Sequence, residues 1–461
     1  MASARDRSVY EEFTIESADG TKTVDIKEGV SAFVYYESVL SPCVTASVIV
    51  VNTGGTIAGE DGVKQGIYNG LPLRGGERVI IKVAKNTPNN DGLDFSDDPA
   101  KYFYVASITD VIVDAEREIF KLNLVSREAI TNHTIRIGKK FPTSENISDS
   151  VLDILQNYLK TSKIDQVDQT VNQYGFIGNL KKPFYTIMWL ASKSVPYNGA
   201  DKLDSSAGFL FYETKNGFNF RSIDGLIKQD PYEEDYVYQP GIINSEDPLK
   251  DYKIVKYTIN RNQDLIGKLQ RGAYASQRYY INPVSFETTI RDFKSSDYMG
   301  TKGIKTLGEQ ELHLPFIEES NNNGVIQGSK TLGDLPTRIF VGMLDIGTVE
   351  QDASKKGWND AAVRNADPMK IDAQTTMRYN QLNSNQVIEI TIPLNTNLTA
   401  GNILRCIFPR IDREELKSPD IQASGLYMIR DMAHYFDRDG SYTKLTMLRD
   451  SSGRKWSKII C

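Results

Sequence analysis

The stretch that most constrains the fold lies near the C-terminus, from Gly425 to Asp450. Leu426, Met428, Met432 and Phe436 occupy even positions, so a strand places them on one face. Asp437, Arg438, Asp439 and Gly440 follow as a turn, with Gly440 free to take a positive φ. Thr443, Leu445 and Met447 alternate on the return. The pattern predicts a long β-hairpin with one apolar face.

A second copy runs from Phe103 to Glu128. Tyr104 matches Tyr427, Leu122 matches Leu445, and Arg127-Glu128 matches Arg449-Asp450, with one residue of difference in the turn. Before each copy comes a glycine and a short strand pattern, Gly76 to Val83 and Gly401 to Phe408. Further back, Gly29–Pro42–Val51 resembles Gly272–Pro283–Ile290. These paired features predict an internal duplication of a small antiparallel β-barrel; the competing explanation is convergent strand composition.

At 461 residues the chain has room for three or four domains. A hydrophobic fraction of 40% suits a folded globular protein. The net charge of −6 and the lack of any Lys/Arg-rich run disfavour a conventional nucleic-acid binder, because phosphate affinity needs clustered positive charge. The first fifteen residues are polar and charged, unlike a secretory signal, and no apolar run approaches a membrane span. Cys43, Cys406 and Cys461 are too few for a disulfide scaffold, which points to assembly in a reducing cytoplasm.

Taken in order, Tyr10 to Val51 reads as strands, with Pro42 at a bulge or edge. Gly54 to Gly70 lacks the Gly-Lys-Ser/Thr ending of a phosphate loop and reads as a surface arm. Asn86 to Pro99 carries Asp91, Asp94, Asp97 and Asp98, spaced wrongly for calcium, and reads as a solvated acidic loop. Asn146 or Ser148 caps a helix bearing Val151, Leu152, Leu155, Tyr158 and Leu159. Pro183 opens a second helix with the apolar stripe Phe184, Ile187, Met188, Ala191 and Val195. Asn216-Gly217 marks a hairpin within Gly208 to Ile223, and Asp230 to Asp235 reads as an acidic connector. Strands resume at Tyr252, break for about ninety residues after Ile290 around Asn321-Asn-Asn-Gly324, and return from Gln386.

The expected fold is mainly β, with two duplicated antiparallel, tube-like β-barrels and an α+β middle domain. The boundaries are 1–130 for the first barrel, 131–250 for the middle domain, 251–290 with 381–461 for the second barrel, and 291–380 for an insertion.

Gly208 to Ile223, Met377 to Asn383, Leu398 to Gly401 and the hairpin from Gly425 to Asp450, in that order, resemble the central baseplate hub protein of contractile-tailed phages. More distantly the chain is similar to the first part of type VI secretion spike proteins. The resemblance spans most of the chain and is weakest from Arg291 to Asn380. It implies a homotrimeric ring around a DNA channel, with two related barrels per chain. Such a ring adapts a six-fold tail tube to a three-fold central spike. It implies as partners the spike, tail tube or tube-initiator proteins, and baseplate wedge and tape-measure proteins, with DNA passing unbound. The location implied is the virion tail baseplate. Nothing like a spike's lysozyme domain or needle follows Asp450, so those are expected on other chains.

The competing classes are a receptor- or glycan-binding tail protein and a lytic hydrolase. The 24 tyrosines are spread along the chain rather than gathered as a glycan platform would be. His133, His313 and His434 are far apart, and no His-Glu-x-x-His, Gly-x-Ser-x-Gly or Cys-x-x-Cys occurs. Glu11-Glu12 and Glu318-Glu319 are adjacent, and adjacent residues on a strand point to opposite faces. His434 shares a face with Met432 and Phe436 and reads as a hydrogen-bonded structural histidine. No catalytic, cofactor-binding or metal residue is assigned, no cofactor is implied, and the chain is read as a non-enzyme.

Overall fold

The computed structural model describes residues 6–54, 57–58, 63–114, 117–197, 206–232, 234–239, 250–261, 264–295, 306–308, 316–320, 326–348, 368–410, 419–420 and 422–451. The protein is mainly β. In the first part, β1 (Tyr10–Glu16), β2 (Val30–Ser38), β3 (Thr45–Asn52), β4 (Arg78–Val83), β5 (Phe103–Val113) and β6 (Glu118–Ser126) pair side by side. Their order is β2-β3-β6-β5-β4-β1, and every pair is antiparallel. Along β6 every second residue is buried, which is what period-two alternation demands of a strand with one face on a core. Phe33, Tyr35, Val48, Ile81, Phe103, Phe120 and Leu122 fill that core.

The middle part begins at α1 (Arg127–Thr134) and contains α2 (Ile147–Asp153), β7 (Ile164–Val167), α3 (Pro183–Ala191), β8 (Phe209–Thr214) and β9 (Gly217–Ser222). Asn216 and Gly217 turn the β8–β9 hairpin as its dipeptide requires, and Pro183 opens α3. Both hairpin strands are almost entirely buried. Phe209, Phe211, Phe218 and Phe220 pack on α2 and α3, while Leu210 and Tyr212 face a second core shared with Met428 and Leu448. Asn146 precedes α2 but makes no capping bond; Ser148 bonds Thr170 instead. Met188 departs from its expected place on the apolar stripe. It is 43% exposed, and the half-buried Trp189 packs inward.

The C-terminal part comprises β10 (Asp235–Tyr238), β11 (Lys256–Arg261), β12 (Ala275–Ile281), β13 (Thr288–Lys294), β14 (Arg338–Met343), α4 (Pro368–Ser384), β15 (Gln386–Pro393), β16 (Ile403–Ile407), β17 (Gly425–Asp437) and β18 (Gly440–Arg449). The order β11-β15-β18-β17-β16-β10 has the same pattern as the first six strands. One pairing differs: β10 runs parallel to β16, whereas β1 is antiparallel to β4. The match extends to backbone detail. Gly76 (φ 95°) and Gly401 (φ 92°) donate their N–H to Val105 and Ile429, and those residues donate back to Glu77 and Asn402. A φ in this range favours glycine at both positions.

Several expectations shift by a residue or by a sheet. Leu122 faces Val48 and Leu445 faces Ile390, as the paired hairpins require. However, Val79 faces Phe103 where Leu404 faces Tyr427, so Phe103 rather than Tyr104 is the counterpart of Tyr427. A bulge between Ile429 and Asp431 breaks the even-position face of β17. Met428 therefore joins the core under the β8–β9 hairpin, and Met432 joins that of the C-terminal strands. The proposed match of Gly272–Pro283–Ile290 to Gly29–Pro42–Val51 fails. Residues 275–281 and 288–294 form β12 and β13 of a separate three-stranded sheet with β14, while β11 and β15 stand where β2 and β3 do. Asn321 to Gly324, His313 and Cys461 lie outside the described residues.

Candidate assembly site: a seam and two open edges

The two six-strand groups join edge to edge. β17 pairs β18 along one side; on the other, its first residues pair β16 and Asp431 to Phe436 pair β2 from Ser38 to Phe33. The core of the first group accordingly includes Phe436 and Leu394, and Phe33 stacks on Phe436 at 5.5 Å. The result is one continuous sheet of fifteen strands.

A buried carboxylate holds three parts of the chain at this seam. Glu37 of β2 accepts from the Tyr35 hydroxyl (2.8 Å), from the Lys215 N–H in the β8–β9 turn (2.7 Å) and from the Ala400 N–H before β16 (2.8 Å). Burial pushes its carboxyl up to about 7 against the pull of these three donors. Beside it Lys215 donates to the Thr396 carbonyl at 2.5 Å, and burial lowers its pKa. A second buried group anchors the same hairpin to the first strands. Lys163 lies 2.9 Å from Glu128 and 2.8 Å from Glu213, and Glu213 also accepts from Ser126 and the Val44 N–H. Burial raises the Glu213 pKa, with the nearby Lys163 cation opposing.

The loop from Asn86 to Pro99 keeps Asp91, Asp94 and Asp97 exposed, as expected of a solvated acidic loop, while its other residues reach the seam. Asn90 donates to the Leu394 carbonyl at 2.8 Å and Gly92 N–H to Thr396, while Leu93 and Phe95 are buried. His434 sits fully buried in the seam, stacked on Tyr35 and bonded through Nδ1 to Thr443 at 2.9 Å. Burial lowers its pKa to about 3, so the imidazole is neutral. His133 is exposed at the end of α1, where Nδ1 lies 3.0 Å from the Lys182 ammonium. Glu11 is paired with Lys82 on β1. Cys406 is buried and Cys43 half-buried, both as free thiols; burial pushes the Cys43 thiol up to about 11. Gly54 to Gly70 is only partly described; its described end packs Ile57 and Ile67 inward, with the Ile67 N–H on Glu118.

The counterparts of the seam strands are left open. β5 is to the first group what β17 is to the second. Among the described residues its segment Ala106–Val113 pairs β6 on one side only and is largely exposed, whereas Asp431–Phe436 is covered by β2. Likewise, among the described residues β11, the counterpart of β2, pairs only β15 and exposes Ile259 to 42%. On the face of the sheet away from the cores, a concavity of about 710 Å³ straddles the seam. Lys256, Lys444, Glu389 and Asp431 line it among hydroxyl side chains and tyrosines, so opposite charges nearly balance there.

Among solved structures, the chain is similar to a 43 kDa tail protein of prophage MuSo2 from Shewanella oneidensis, at 11% identity and TM-score 0.48, covering 95% of this chain and 98% of that one. It is also similar to a tail protein from Neisseria meningitidis MC58, at 8% identity and TM-score 0.46, covering 96% and 97%. A third is an E. coli component of the type VI secretion system, at 8% identity and TM-score 0.37, covering 94% of this chain and 76% of that one. No protein-family model matches the chain, and no curated protein matches its sequence.

Proposed function

We propose that this chain is the structural hub of a phage tail baseplate, a homotrimeric ring with a central channel. The observation that carries the reading is the seam. Within one chain, β17 and β2 join two groups of like strand order. The same join repeated between chains brings β5 of one copy against β11 of the next. An open strand edge is a template for such pairing.

The repeat also supplies a register. Tyr435 faces Tyr442, and Ile112 faces Ile119, each three residues before the matched leucines Leu445 and Leu122. Val34 faces Ser47 and Thr258 faces Glu389, each one residue before the matched Val48 and Ile390. Across the seam Tyr435 pairs with Val34. Ile112 of one chain therefore pairs with Thr258 of its neighbour. A head-to-tail contact makes a ring when its rotation closes, and the family resemblance supplies the closure and the number three. Three chains with two like groups each present six similar units to a tail tube and three to a spike. The concave face becomes the channel lining, and its near-balanced charge lets DNA slide without the phosphate grip of a basic wall. The role is structural, in the virion, with spike, tube, wedge and tape-measure proteins as neighbours.

The test is the mass of the purified chain by native mass spectrometry. The reading expects a trimer, and it expects Ile112→Glu with Val113→Glu to release folded monomer, since both side chains are about 60% exposed in the single chain. A wild-type monomer at high concentration would overturn it.

A further inference from the structure

The middle part carries a surface that the ring does not use. Lys140–Phe141 pairs with Phe176–Ile177, and Ile137 bridges Lys181. The connecting turn holds Asn179 and Leu180 at φ 48° and 54°. A left-handed leucine is disfavoured, and this one is also 68% exposed. Two local costs are thus accepted to present an apolar side chain to solvent. Beside it stand Ile177 and Tyr185, exposed to 52% and 53%. Beside them lies a slot of about 210 Å³ floored by Phe176 and Trp189. An apolar patch of this sort on a folded domain marks an interaction site.

Charge identifies the kind of partner. Lys181 lines the slot and Lys140 stands opposite Ile177, with Arg136, Lys139 and Lys182 next to them in sequence, on a chain whose net charge is −6. Among the described residues only Lys139 of these five forms an ion pair, with Asp153 at 3.0 Å. The Lys181 ammonium lies 5.3 Å above the Tyr185 ring, at the lip of the slot. We infer that this surface docks an acidic protein segment, which lays Asp or Glu against the lysines and inserts one large apolar side chain beside Trp189. The concave slot favours a peptide over a lipid surface, which would meet a convex apolar wedge. The surface is separate from the β5 and β11 edges, so the inference stands apart from the ring.

The test selects displayed random peptides on the immobilised full chain and then measures their affinities. Enriched peptides should carry acidic residues flanking a large apolar one. Their affinity should fall about ten-fold or more for Leu180→Glu and for Lys140→Glu with Lys181→Glu, and should weaken as salt rises. All three side chains are exposed, so thermal melting of these variants should match wild type. Enrichment without acidic bias, affinities indifferent to both variants, or no enrichment would overturn the inference. So would tighter binding to vesicles of anionic lipid than to any selected peptide.

Discussion

A methyl group added at Gly76 would meet nothing within 4 Å, whereas at Gly401 it would meet the Tyr212 hydroxyl oxygen at 2.7 Å. Gly76→Ala therefore costs backbone strain alone, about 1–3 kcal/mol, and Gly401→Ala costs more. Urea unfolding of the two variants checks that ranking. At Glu37, three donors converge on two carboxylate oxygens. In Glu37→Gln the amide nitrogen must face one of those N–H or O–H groups, so the variant should lose about 1–3 kcal/mol by the same measurement. His434 makes stability depend on pH. Its pKa is depressed from 6.5 to about 3, so the unfolded chain takes up a proton first as pH falls. Stability should drop between about pH 6.5 and 3, by at most about 1.4 kcal/mol per unit from this residue. His434→Gln should flatten that slope relative to wild type; an identical slope would remove the histidine from the account. The structural role of His434 was legible from its place on an alternating strand. The roles of Glu37 and Lys163 were not, because their partners lie far away in sequence, at Ala400 and at Glu213.

The hairpins were the most legible elements. Strand alternation and the turn residues Asp437 to Gly440 and Asn216-Gly217 are local signals, and the strands fold accordingly. What local signals lack is the identity of the partner strand. The apolar runs at 275–281 and 288–294 read as strands correctly, yet they pair with each other and with β14 in a separate sheet. Bulges are hidden for a related reason. The one near Arg430 is fixed by β17 facing two cores in succession, which no window of alternation reports. The β8–β9 hairpin illustrates how elements are pinned together. Lys163 neutralises two buried carboxylates beneath it. Lys163→Met would leave Glu213 buried without its cation beside Glu128, which keeps only Arg127, and should destabilise the chain by about 3–5 kcal/mol. Calorimetry or urea unfolding near neutral pH checks this, and protonation of the pair should recover part of the loss at lower pH.

Over the whole molecule, the like order of two strand groups explains both the seam that is closed and the edges that are open. The repeated hairpins and the glycines before them made the repeat visible in sequence; the seam itself was not, since it joins residues 33–38 to residues 431–436. The central claim is that the seam recurs between copies, with Ile112 opposite Thr258 of the neighbour. Directly opposed residues on antiparallel strands lie about 4.5–5.5 Å apart, within reach of a disulfide. The decisive measurement is oxidation of an Ile112→Cys, Thr258→Cys chain from which Cys43 and Cys461 have been removed. Covalent dimers and trimers are expected on a non-reducing gel, with neither single-cysteine chain linking beyond dimers. Double-cysteine chains that stay monomeric under oxidation, while the protein runs as a trimer in solution, would place the subunit contact elsewhere and contradict the account.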